Sequence, residues 1–191
     1  VFIEKSGAKL VITESNQETF MPDIDEIKKC INKNTKALLI NYPNNPTGVM
    51  IDEESLKALC KLLKEKEIEY NHPIYLISDE PYRELVYDGV APFITKYYDN
   101  TIISYSFSKS LSLPGERIGY IFVSPKVKDC TDVYAAVCGA GRALGYVCAP
   151  SLLQYTVKEV LGKTADVSVY EENRNIFYSA LTEYGYKVVQ P

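Results

Sequence analysis

The sequence predicts an α/β fold, a mainly parallel sheet flanked by helices. Three observations carry this reading. Apolar runs of strand length recur along the chain. Helical patterns with one apolar face alternate with them. The apolar runs end at turn formers or polar residues, as buried parallel strands do.

The elements follow in order. "AKLVIT" (8–13) is a short β-rich run. "MPDIDEIKKCI" supplies Asp23 as an N-cap and sets Ile24, Ile27 and Ile31 on one helical face. "KALLINY" (36–42) is a continuous apolar run closed by a Pro/Asn/Gly turn. "DEESLKALCKLLKEKEI" (52–68) is an amphipathic helix with acidic residues first and lysines later, which suits the helix dipole. "PIYLISDE" (73–80), "NTIISYSFSK" (100–109) and "RIGYIFVSP" (117–125) complete the strand set. Helical patterns return at 151–161 and at about 165–184. The chain opens on Val1 and closes on "YGYKVVQP", a helix stop at Gly185 followed by strand-like residues. The expectation is a piece of a longer protein.

Composition narrows the function. The 191 residues suffice for a domain with a sizeable core, and 46% hydrophobic with 24% charged residues is ordinary for a soluble globular chain. A net charge of -4 gives no reason to expect nucleic acid as a partner. No apolar run is long enough to span a membrane, and Lys126 and Lys128 are too few for a basic membrane patch. Five cysteines without CxxC spacing read as small buried thiols in a reducing cytoplasm. The single histidine, His72, argues against a transition-metal site and against a Ser-His-Asp triad.

In parallel α/β sheets ligands gather beyond the carboxyl ends of the strands. After the first strand come "PNNPTG", with Gly48 free to take positive φ, and Asn45, whose amide can donate into a cleft. After the second comes "SDEPYREL". Asp79 there is either a helix N-cap, with Pro81 in the first turn, or a carboxylate held for a buried cation, and Tyr82 could add a phenol. After the third, Ser106, Ser108 and Lys109 leave the strand, and Arg117 begins the next. A lysine at the mouth of an apolar cleft can serve as a nucleophilic free amine, and hydroxyls with a guanidinium suit a dianion. "GAGRALG" (139–145) has GxGxxxG rather than GxGxxG spacing, which argues against a dinucleotide loop.

Taken together, "NYPNNPTG", "SDEPYREL" and "SFSKSLSLPGERIGY" resemble three motifs of the class I/II aminotransferases, fold-type I pyridoxal-phosphate enzymes, in the right order. The similarity runs from about residue 8 to the helix ending near 184. The resemblance implies that Lys109 forms the Schiff base with the cofactor aldehyde and that Asp79 pairs with the pyridinium nitrogen. It assigns Asn45 and Tyr82 to the phenolic oxygen. Ser106 and Arg117 match phosphate ligands, and Ser108 lies near the phosphate. The catalytic set is Lys109, Asp79 and Tyr82, with no metal. An amino acid and a 2-oxo acid would be the substrates, in a cytoplasmic homodimer.

Relatives of this kind are longer. The resemblance makes 1–184 part of the large cofactor-binding domain and 185–191 the start of a smaller C-terminal one. The family's glycine-rich phosphate loop and substrate-binding arginine are not recognisable in the sequence, so residues 1–191 alone are expected to be inactive. The same cofactor residues would also serve a carbon–sulfur β-lyase or a non-catalytic cofactor-sensing domain of a transcription regulator.

Overall fold

The computed structural model describes residues 2–191; Val1 lies outside the described residues. Four strands form one sheet in the order β1 (Ala37–Asn41), β2 (Tyr75–Asp79), β3 (Thr101–Ser106) and β4 (Gly119–Val123). β1, β2 and β3 run parallel, and β4 returns antiparallel to β3. Among the described residues seven α-helices accompany them: α1 (Phe2–Lys5), α2 (Ile24–Cys30), α3 (Glu53–Tyr70), α4 (Phe107–Ser110), α5 (Cys130–Ala143), α6 (Ser151–Val160) and α7 (Ser168–Glu183). None is long and apolar enough to cross a membrane.

The cap expected at Asp23 forms, and α3 begins with a cap of the same kind. Asp23 accepts from the backbone N–H groups of Asp25 and Glu26 at 3.0 Å each. Asp52 starts α3 by accepting from Ser55 N–H at 2.6 Å. Each such cap satisfies helix-end donors that would otherwise lack partners, worth about 1 kcal/mol. α3 ends on Asn71 in the left-handed region, at φ 54°. Its apolar face, with Leu56, Leu59 and Leu63 fully buried, packs with Ile40 of β1, Leu76 of β2 and Ile27 of α2. Each of those leucines contributes about 1.5–3 kcal/mol by leaving water. This core fixes β1 and β2 side by side, and so fixes their carboxyl ends.

Three expectations need correction. The run 8–13 is not a strand; Val11 and Ile12 are 51% and 76% exposed, and pairing nearby is limited to a Ser15–Pro22 bridge. β propensity alone does not make a strand when no ladder partner lies alongside. The five cysteines are free, but Cys60 is the one that is buried, while Cys148 is exposed. Burial pushes the Cys60 thiol up to about 11. The segment after Asp79 is a turn rather than a helix, so Asp79 caps nothing there. The glycines of "GAGRALG" fall at the end of α5 and just past it, which leaves no strand-to-helix loop for a dinucleotide.

Gly119 opens β4 opposite Ser106. A Cβ at this position would stand 2.3 Å from the carbonyl oxygen of Tyr105. Gly119→Ala is therefore expected to force the β3–β4 ladder apart and to destabilise the protein by about 1–3 kcal/mol. A denaturant unfolding curve checks this.

Candidate active site

The parallel register brings three polar residues level. Asn41, the last residue of β1, pairs with Asp79, the last of β2, and Asp79 pairs in turn with Ser104 of β3. The loop 43–48, the turn after Asp79 and the helix α4 all leave the sheet from this edge.

The Asn41 side chain bridges the first two strands. Its Nδ2 donates to the Asp79 backbone carbonyl at 2.9 Å and to Asp79 Oδ2 at 3.1 Å. The Asp79 carboxylate is thus aimed by a side-chain amide, half-buried at the end of the sheet. Asn41 also accepts from the Asn45 backbone N–H at 3.3 Å and from Asn44 Nδ2 at 3.2 Å, which ties the loop 43–48 to the strand. That loop contains two cis peptides, Tyr42–Pro43 and Asn45–Pro46, and Gly48 takes the expected positive φ of 75°.

Asn45 and Tyr82 meet directly. Asn45 Nδ2 donates to the Tyr82 hydroxyl at 2.6 Å, although 37 residues separate the two in sequence. The Lys109 ammonium lies 5.3 Å from the centre of the Tyr82 ring, within the range of a cation–π contact. Asn45, Tyr82 and Lys109 therefore form one cluster, at the strand ends that also carry Asp79. The turn bearing Tyr82 is held from below by Glu80, which is buried. Glu80 accepts from the Ser78 hydroxyl at 2.8 Å and pairs with Arg83. Arg83 in turn donates to the Ala91 and Pro92 carbonyls and stacks 3.9 Å from the centre of the Phe93 ring.

Lys109 sits in α4, a helix of four residues. Ser106 caps it, its Oγ accepting from Ser108 N–H at 3.2 Å and bonding to Ser108 Oγ at 2.7 Å. The two hydroxyls are adjacent, as a shared oxyanion would require. Arg117 precedes Ile118, whose carbonyl accepts from the Phe107 N–H at 3.1 Å, and its side chain is engaged within its own turn. Its Nη1 donates to the Pro114 carbonyl at 2.6 Å, and its backbone takes φ 52°, an uncommon conformation for a side chain of this size. Composition and spacing gave no notice of Glu80 or Arg83. Asn41 alone left a sign in the sequence, as a polar residue closing an apolar strand.

The model of the family "Aminotransferase class I and II" matches residues 1–191. An aspartate aminotransferase from Pyrococcus horikoshii is 37% identical over 139 residues, covering 71% of this chain and 34% of that protein. A probable N-acetyl-LL-diaminopimelate aminotransferase from Bacillus subtilis is 32% identical, covering 99% of this chain and 46% of that protein. The crystal structure of an aminotransferase from Eubacterium rectale superposes with a TM-score of 0.94 at 53% identity, over 97% of this chain and 47% of that one. That of aspartate aminotransferase from Thermotoga maritima gives 0.83 at 31% identity, over 99% and 48%. The chain thus spans half or less of the length of these relatives.

Fold and match together define the class as an α/β domain of the pyridoxal-phosphate-dependent transferases. Within that class the chain belongs to the class I and II aminotransferase family.

Proposed function

We propose that the full-length protein is a pyridoxal-phosphate-dependent aminotransferase that moves an amino group between an amino acid and a 2-oxo acid. The observation that carries the reading is the contact set around Tyr82. Its hydroxyl accepts from Asn45, and its ring faces the Lys109 amine, at the carboxyl ends of parallel strands.

The donor set suits the cofactor group by group. Asp79 offers a carboxylate, aimed by Asn41, to a protonated ring nitrogen. Asn45 and Tyr82 offer an amide and a phenol to a phenolic oxygen. The paired hydroxyls of Ser106 and Ser108, with Arg117 turned from the Pro114 carbonyl, would hold the phosphate. Lys109 supplies the amine for the aldehyde. When bound, the cofactor stores the electron pair released at the substrate α-carbon.

The residues then divide the work. The Asp79 charge favours a cationic ring, since an opposite charge within a few ångströms stabilises the protonated form. The Asn45 and Tyr82 donors favour a negative phenolic oxygen. With its amine free, Lys109 would be the base placed to take the substrate α-proton and hold it for return. Residues 1–184 would belong to the larger domain and 185–191 to the start of the smaller one. The whole protein would work as a homodimer, and residues 1–191 alone would be inactive.

The test is transamination by the full-length protein, followed as 2-oxo acid formed from an amino-acid donor. Asp79→Ala is expected to lower kcat by about a hundredfold or more, the scale on which loss of one positioned electrostatic group acts. Ammonia and pyruvate released from a sulfur amino acid, with no amino transfer, would point instead to a β-lyase. Cofactor binding without turnover of any amino acid would point to a sensing domain.

A further inference from the structure

α4 has only four residues, far fewer than a helix needs to hold its own shape in water. Something else must fix the direction in which Lys109 leaves it. Ser106 grips the start of the helix through its cap. The other end is gripped from a different part of the chain. The Tyr105 hydroxyl lies 2.7 Å from Ser110 Oγ, next to Lys109, and 2.8 Å from Glu84 Oε2, two residues beyond Tyr82.

A phenol has one proton and can also accept. The arrangement is satisfied when Tyr105 donates to the Glu84 carboxylate and accepts from the Ser110 hydroxyl. Tyr105 and Ser110 are both buried, at 7% and 3% exposure. The Tyr105 ring is clamped as well, stacked on Tyr120 with centroids 5.0 Å apart and edge-on to Phe107 at 5.2 Å. Chiefly through burial, the phenol is held well above the usual tyrosine range, so it keeps its proton. Ser110 is further fixed by its carbonyl, which accepts from Ala165 N–H at 2.6 Å.

We propose that Glu84, Tyr105 and Ser110 form a hydrogen-bonded brace that joins the Tyr82 turn to the Lys109 helix, and that they are positioning residues for the Lys109 amine. The proposal rests on the aminotransferase reading above. None of the three touches the Asn45–Tyr82–Lys109 cluster directly. They set the spacing between its two halves, because Glu84 belongs to the turn that carries Tyr82 and Ser110 to the helix that carries Lys109. Of the two short bonds, the one to the Glu84 carboxylate is charge-assisted and the one to Ser110 is buried, and both are directional enough for this task.

The experiment uses full-length protein stripped of cofactor. Pyridoxal phosphate is added, and growth of the visible absorbance band is timed. Tyr105→Phe removes one oxygen and keeps the ring contacts. It is expected to slow band formation about tenfold and to lower kcat with little change in the KM for the amino donor. Its thermal midpoint should stay close to the parent's. Glu84→Ala should behave like Tyr105→Phe, whereas Glu84→Gln, which retains an acceptor, should restore most of the rate. Ser110→Ala gives a second route if Tyr105→Phe folds poorly. The brace is overturned if Tyr105→Phe and Ser110→Ala form the band at the parent's rate. It is equally overturned if their rates fall only in step with lost stability and Glu84→Gln rescues nothing. A parent protein that forms no band at all fails at the earlier step, and defeats the aminotransferase reading along with the brace.

Discussion

Lys109→Ala in the full-length protein is expected to abolish the visible band on cofactor addition. Transamination should fall by at least about 10⁴-fold, the upper range for a positioned acid–base group, because the covalent anchor is lost with the base. The change is a clean one. Lys109 is exposed at the end of a short helix, so its truncation removes little packing, and the unfolding midpoint should hold. Absorbance and a 2-oxo acid assay on the same sample read both effects. Lys109→Arg sharpens the comparison. It keeps a positive charge near the Tyr82 ring but offers no free amine, since a guanidinium stays protonated. If charge alone mattered, arginine would rescue; the account predicts that it does not.

Glu80→Ala is expected to be the most damaging single change to the fold near the site. The Glu80 side chain is 2% exposed and its partner Arg83 14%. Removing the carboxylate strands a nearly buried guanidinium, and breaking such a pair from one side costs about 3–5 kcal/mol. Ser78, fully buried, would lose its acceptor too. The consequences reach the site through geometry. Arg83 pins the Ala91 and Pro92 carbonyls and lies on Phe93, so it anchors the far side of the turn that presents Tyr82. Denaturant unfolding should show the loss. Glu80→Gln, which preserves a hydrogen-bond acceptor for Ser78, should cost less. Equal stability of Glu80→Ala and the parent would mean that the pair does not hold this turn.

Much of this architecture could be read from residue order. The strands at 36–42, 73–80, 100–109 and 117–125 were visible because apolar runs of that length, each ended by polar or turn residues, have few other uses. Asp23 announced its helix because capping is a local interaction between residues two or three apart. What stayed hidden was long-range. The run 8–13 has strand-like residues, but a strand is made by its neighbour. From its neighbours Asp79 reads either as a cap or as a cleft carboxylate, and the Asn41 amide that holds its carboxylate lies 38 residues away. Tyr105 was one tyrosine among sixteen, and nothing nearby in sequence linked it to Glu84. Arg117 was legible as a cation near two serines, but not as a residue turned toward Pro114 at positive φ.

The central claim is that the amine of Lys109 is where the cofactor attaches. Full-length protein loaded with pyridoxal phosphate, reduced with borohydride and digested, should yield one modified peptide, with the added mass on Lys109. The same treatment of Lys109→Ala should yield none. A stoichiometric adduct on a different lysine, or no adduct on the parent protein despite bound cofactor, would contradict the account.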